Sequence, residues 1–351
     1  MTAKDYKMPG FTFLHAGSDK PFAWPRYKLK ECWTLALCLL KLSKVDGPVI
    51  VHNWWNDGAL KFTHEFKERR AAQVDPRLTD APIIRPHGAT TFTRALALAP
   101  ALLLALLPMR TLLALVRMCM RDSIGPLVVY CDGHLSGFLL VLAARAKGAT
   151  TLTLHHGLYR PDDKGSVMGI RNFVSDYICL WDGHTKRSFE EVGVDADRLL
   201  QVGEYGFGNL KANGETKKKL AMLCPPYDVR QIGLFRHVET LLQGDFQTKW
   251  SLHPMLRADH PDLSQAKVAA IDPRPAVAIC GDSGVVMDAL ARGIPIITVS
   301  DRPLATTHLT PKAATGVDAA TIGTLIRQAH ENLANDQRAF GFVQKSGGAE
   351  R

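Results

Sequence analysis

The sequence predicts an α/β protein of two domains facing a central cleft, each built on a parallel β-sheet. Three observations predict it. Short apolar runs of β type alternate with helical stretches; several of those runs end directly in glycine-rich or polar residues; and the pattern stops near residue 205 and then starts again. Uninterrupted apolar strands separated by helices indicate parallel sheets with both faces covered. A length of 351 residues accommodates two such cores.

In the first half the candidate strands are Phe11–His15, Pro48–His52, Ala81–Arg85, Leu127–Cys131, Thr150–Leu154 and Asp176–Trp181. They run into HAGSD, HNWWNDG, RPHG, CDGH and HHG, and in parallel sheets ligands collect beyond the carboxyl ends of the strands. A break at Gly203-Glu-Tyr-Gly-Phe-Gly208 precedes a lysine-rich segment and divides the chain into domains 1–205 and 206–351. The second half reads as strand 219–224, helix 228–243, strands 248–253 and 276–280, helix 283–292 and strand 294–299.

Composition narrows the function. Apolar residues at 46% and charged residues at 22% exclude a disordered or fibrous chain. With 43 Lys+Arg against 34 Asp+Glu, the net charge of +9 favours anionic partners. The basic residues are dispersed and no aromatic–basic module accompanies them, so nucleic acid is not expected as a partner. Seven scattered cysteines with no C-x-x-C spacing argue against disulfides and structural zinc. Because the first ten residues lack an apolar core, a cytoplasmic setting is expected.

The longest uncharged stretch, 95–109, lies between Arg94 and Arg110. As a helix it would rise about 22 Å, short of the ~30 Å hydrocarbon core, and Pro100 and Pro108 weaken it further. It reads either as a buried helix covering a sheet or as an interfacial segment. In the second case Arg94, Arg110, Arg117 and Arg121 would face anionic headgroups, and the chain would sit peripherally on an inner membrane.

The sharpest local signal is Gly281-Asp-Ser-Gly284, a tight turn between a strand and a helix. Free helical amides, the Ser283 hydroxyl and the helix dipole suit an anion there, although Asp282 or Ser283 would also serve as a plain N-cap. His253-Pro254 ends the strand before it, with the proline holding the imidazole out of any helix. His253-Pro254 reads either as a structural turn or, beside the anion-binding turn, as an imidazole that donates a hydrogen bond or a proton to a departing phosphate. In the first half, His156 follows a strand and precedes Gly157, while His155 points the other way by strand alternation. Asp132 closes a strand as a candidate base or as a helix cap, and Asp57 is its rival. Trp54 and Trp55 are placed to stack on a sugar or to sit in the core, and Trp54, Asp57 and Tyr159 are the candidate acceptor contacts. Asp195-Ala-Asp197 reads as a solvated turn. The paired histidines lack a third ligand at helical spacing, so no metal is expected, and P-loop and G-x-S-x-G motifs do not occur.

Asp132-Gly133, His253-Pro254 and Asp282-Ser283-Gly284, in that order, resemble bacterial surface-polysaccharide glycosyltransferases of the GT-B fold, which pair two Rossmann-like domains. Residues 151–159 resemble the strand-then-Gln-His-Gly signature of capsule proteins, with His155 at the glutamine position. The resemblance covers about residues 120–300. It implies an acceptor domain, then a donor domain gripping nucleotide at Pro254 and Gly281–Gly284. It further implies Asp132 as base, His253 assisting nucleotide departure and Ser283 on donor phosphate. Cys131 stands where that family has an acid, and Gly284 where it has a second serine. The donor is a substrate, so no resident cofactor is implied. A CMP-sugar is favoured, with CDP or UDP donors sharing parts of the pattern, and the acceptor would be a glycan or lipid-linked glycan. The alternatives are a nucleotide-sugar 2-epimerase, a CDP-glycerol-type phosphotransferase and a non-catalytic capsule assembly protein.

Overall fold

The computed structural model describes residues 23–54, 60–86, 90–155, 173–203, 205, 217–226, 231–252, 267–268, 274–281, 285–286, 289, 292–299, 313–314 and 324. The chain divides into two compact units, Met1–Gly206 and Phe207–Arg351.

Unit 1 opens with helix α1 (Ala23–Leu42). Its Cys32, Leu35, Cys38, Leu39 and Leu42 recur every three or four residues and enter the core, as one stripe of a helix must. Strand β1 (Gly47–Val51) starts at a glycine with φ of 86°, which turns the chain out of the helix. Then come α2 (Leu60–Arg69), α3 (Ala71–Val74), a single 3₁₀ turn at Pro76–Thr79 and β2 (Ile83–Ile84). Helices α4 (Thr91–Leu96), α5 (Leu98–Leu106) and α6 (Met109–Cys119) follow. After them β3 (Ile124–Val129), α7 (Leu135–Ala146), β4 (Thr151–Leu154), β5 (Tyr177–Leu180), α8 (Gly183–Glu191) and β6 (Leu199–Gln201) complete the unit.

The six strands pair in parallel in the order β2-β1-β3-β4-β5-β6. Parallel pairing explains why β3 and β4 are buried almost throughout and read as plain apolar runs. Helix α7 is buried on nearly every side, from Leu135 to Ala144, and joins α1, α6, β1 and β3 in one core. Helix α8 packs Phe189 against Ile178, Leu180 and Leu199.

Unit 2 contains β7 (Lys217–Cys224), α9 (Ile232–Leu242), β8 (Gln247–Leu252), β9 (Lys267–Val268), β10 (Pro275–Cys280), β11 (Ile296–Val299) and β12 (Ala313–Ala314). Its parallel sheet has the order β9-β8-β7-β10-β11-β12. Phe235, Val238 and Leu242 of α9 lie against Trp250 and Leu252 of β8 and Val277 and Ile279 of β10. The chain is thus two Rossmann-like α/β units, as the alternating pattern predicts.

Some elements depart from expectation. The Phe11–His15 strand lies outside the described residues. The 20-residue α1 had no counterpart in the sequence reading. The stretch 95–109 is not one helix: the chain breaks at Ala97 and again at Leu107-Pro108, while Pro100 sits in the first turn of α5, where its missing amide costs little. Asp195 caps the 3₁₀ turn Ala196–Arg198 by accepting from the Asp197 amide, and the chain passes straight into β6. Among the described residues no helix is long and apolar enough to cross a membrane.

Candidate functional site

In a doubly wound sheet the strand order reverses at one point, and the carboxyl ends on either side of it leave a crevice. In unit 1 that point lies between β1 and β3, and the two loops leaving it are laced together. Asn53 donates from Nδ2 to the Cys131 carbonyl at 2.6 Å, and its Oδ1 accepts from the Cys131 amide at 3.1 Å. His52 Nδ1 shares a hydrogen bond with Thr63 Oγ1 of α2 at 2.8 Å. Trp54, half-buried, sets its ring edge-on to His134, 4.5 Å between centroids, and 5.9 Å from Tyr130. Gly137 is required where α7 passes beneath: a Cβ would overlap the Cys131 carbonyl oxygen and come within 2.6 Å of Asn53 Nδ2.

The N-terminus of α7 lies at this point as well, with His134 as its N-cap residue but no side-chain cap of its own. Glu31, reaching over from α1, supplies one. Its Oε2 accepts from the Ser136 amide at 3.1 Å and the Ser136 hydroxyl at 2.8 Å, and its Oε1 lies 3.5 Å from His134 Nδ1. Burial pushes the Glu31 carboxyl up, but the His134 contact and the two Ser136 hydrogen bonds outweigh it and hold the group below its ordinary value. A buried carboxylate at a helix N-terminus also gains from the dipole.

Asp132 is buried, with 5% of its surface exposed, and does not cap α7. Its Oδ2 accepts three hydrogen bonds, from the Val174 amide, the Ser175 amide and the Ser175 hydroxyl, each at 2.8 Å. Burial pushes its carboxyl up, opposed by those donors and by the Arg198 charge. Arg198 braces the same segment, donating to the Ser175 carbonyl at 2.7 Å and lying 4.1 Å over the Phe173 ring. Asp132 therefore ties the loop after β3 to residues 173–175, which lead into β5.

The ends of β4 and β5 are tied by Tyr205, whose hydroxyl lies 2.9 Å from the His155 carbonyl and 2.8 Å from that of Cys179. The His155 ring is fully buried, 4.4 Å edge-on to Trp181, so it faces the core as strand alternation predicts. The Gly203 turn has a φ of 85°, with the Arg70 guanidinium packed against its Cα. The link between the units thus begins from a fixed point.

In unit 2 the strand order reverses between β7 and β10. Gly281, the first residue after β10, donates its amide to the Cys224 carbonyl at 2.9 Å. A Cβ there would overlap Pro226 Cδ and lie 3.0 Å from the Pro226 nitrogen. That amide is therefore committed within the fold and is not available to a ligand. Trp250 of β8 and Ile279 of β10 both pair with Leu223 of β7, so the strands leading to His253 and to Ser283 end on the same edge, either side of β7.

Of the sequence-predicted residues, the structure brings Trp54 and Asp132 to one sheet edge and places Gly281 at the other unit's reversal point. Trp55, Asp57, His156, Tyr159, His253, Pro254, Asp282, Ser283 and Gly284 lie outside the described residues. Glu31, Asn53, His134 and Ser136 were missed. The readable signal for the last two was His134-Leu-Ser-Gly137 opening a helix; nothing local marks the first two. Among the described residues no cluster of His, Cys, Asp and Glu is grouped to hold a metal.

No family model and no curated protein matches the chain. Among solved structures it is similar to the apo form of the lipopolysaccharide outer core galactosyltransferase WaaB, at 11% identity and a TM-score of 0.38 over 73% of this chain and 80% of that one. It is also similar to UDP-GlcNAc 2-epimerase from Methanocaldococcus jannaschii, at 12% identity and a TM-score of 0.44 over 82% and 92%. A UDP-N-acetylglucosamine 2-epimerase matches at 16% identity and a TM-score of 0.41 over 86% and 84%.

Proposed function

We propose that the chain is a glycosyltransferase that moves a sugar from a nucleotide-activated donor, a CMP-sugar in the favoured case and a CDP or UDP donor otherwise, to a surface glycan or lipid-linked glycan. The observation that carries the reading is the turn after β10. It follows the reversal point of a sheet in the order β9-β8-β7-β10-β11-β12, the place where a doubly wound sheet opens a crevice. A crevice of this kind suits a nucleotide, and the serine and amides at 282–284 suit its phosphate.

In this reading His253, leaving β8 on the same edge, gives a proton to the departing phosphate oxygen. Unit 1 takes the acceptor, with Trp54 as a stacking face and Asp57 and Tyr159 as further contacts. Asp132 spends its Oδ2 on three donors, so its part is to position the chain that carries His156 and Tyr159. His156 then takes the proton from the acceptor hydroxyl.

The test is nucleotide release from CMP-, CDP- and UDP-sugars with and without a glycan acceptor. Acceptor-dependent release that His253→Ala abolishes is expected. Conversion of the sugar with no acceptor present would make the chain an epimerase instead. Inertness toward every donor would leave an assembly protein.

A further inference from the structure

We infer that the face formed by α4 and α5 is a docking surface for an anionic lipid bilayer. Among the described residues eight large apolar side chains are exposed, and six of them, Phe92, Leu96, Leu98, Leu102, Leu103 and Leu106, lie within 92–106. Helix α5, LAPALLLAL, contains no polar residue, yet Leu103 is 66% and Leu106 82% exposed. This is a fixed face. Ala97 and Ala101 are fully buried, Leu104 packs with Ala97 against Ala36 and Leu37 of α1, and Lys28 Nζ donates to the Leu107 carbonyl at 3.3 Å. The opposite side of α5 is thus held outward. Contiguous exposed apolar surface of this kind marks an interaction site.

Charge decides the occupant. From Thr91 to Met120 there is no Asp or Glu, while Arg110 and Arg117 of α6 are exposed. Arg121 is directed elsewhere, to the Asp46 carboxylate and the Ser43 carbonyl, so the headgroup role expected of it falls to the other two. The Arg94 side chain lies outside the described residues. A stretch with an exposed apolar face, exposed arginines and no carboxylate of its own fits a bilayer surface with anionic headgroups, although Arg117 also interacts with Asp122 just beyond it. A two-fold dimer on the same face would set like stretches against each other, bringing arginines together with no carboxylate in either stretch to meet them. At nine residues, α5 rises about 14 Å and lies in the interface without crossing it.

Flotation of the full chain with phosphatidylcholine vesicles, with and without phosphatidylglycerol, tests this. Binding is expected to the phosphatidylglycerol-containing vesicles and to weaken in high salt. The double variant Arg110→Gln with Arg117→Gln should lose about fivefold in affinity per charge. Leu103→Glu with Leu106→Glu should abolish flotation while leaving the melting temperature unchanged, since both side chains are exposed. Failure of the intact chain to float, or undiminished flotation of the leucine variant, overturns the proposal. So does a lipid-free dimer that the leucine variant dissociates, which would give the face to a second copy. A chain that floats but binds no nucleotide leaves this inference standing and removes the sugar-transfer reading.

Discussion

The two sheet edges are built by different means. At the reversal point of unit 1, long-range side-chain ties hold the loops: Asn53 to Cys131, Glu31 to Ser136 and Asp132 to Val174 and Ser175, across 78, 105 and 42 to 43 residues respectively. At the reversal point of unit 2, the described contacts are of backbone and ring, with the Gly281 amide on the Cys224 carbonyl and its Cα against Pro226. Side-chain ties make a loop rigid but occupy its polar groups. A glycine packed on a proline ring instead ties the edge through backbone and ring and occupies no polar side chain. In the proposed function the first edge would present the acceptor and the second would face the donor phosphate.

Removing a tie from unit 1 should therefore cost stability before it costs nucleotide affinity. The largest effect is expected of Asp132→Ala, which orphans three buried donors. We expect a loss of about 3–5 kcal/mol, read as a lower denaturation midpoint, with affinity for nucleotide kept. If Asp132 were only a catalytic base, the variant would melt with the parent.

Gly281→Ala should cost about 2–3 kcal/mol through overlap with Pro226 and should also weaken nucleotide binding. Loss of stability without loss of binding would break the contrast between the edges.

Glu31→Gln should cost about 1–2 kcal/mol, since the amide retains part of the cap on α7. The parent has a pH signature as well. The folded-state value of Glu31 is depressed, so its contribution is present above the ordinary glutamate range and is lost as pH falls through the folded value. Acid unfolding curves of parent and Glu31→Gln should converge at low pH, and parallel curves would contradict the cap. Tyr205→Phe is the mildest, at about 1 kcal/mol for a hydroxyl shared between two carbonyls.

Much of this fold was legible because parallel strands are buried on both faces. Val49–Val51, Leu127–Val129 and Ile178–Leu180 are plain apolar runs with His52, Asp132 and Asp182 at or just beyond their ends, and each became a strand within a few residues of its expected bounds. What escaped was long-range. Nothing near Glu31 says that it caps a helix 105 residues away, and the Asp-Gly of Asp132 reads equally as base or cap because its partners lie 42 and 43 residues on. The exposed face of α5 was left undecided between burial and an interface for the opposite reason. An all-apolar helix has no polar side to show which face the fold turns outward, and only its packing on α1 decides that.

The claim on which the functional reading depends is that the turn after β10 holds a nucleotide. Thermal unfolding of the parent and of Ser283→Ala, each with CMP, CDP, UDP and GDP, tests it most directly. A ligand at a hundred times its dissociation constant stabilises a fold by about 2.7 kcal/mol. One nucleotide should raise the melting temperature of the parent by several degrees, and Ser283→Ala should lose most of that gain. If none of the four moves the transition, or the serine variant responds as the parent does, the turn is a helix cap and the sugar-transfer account fails.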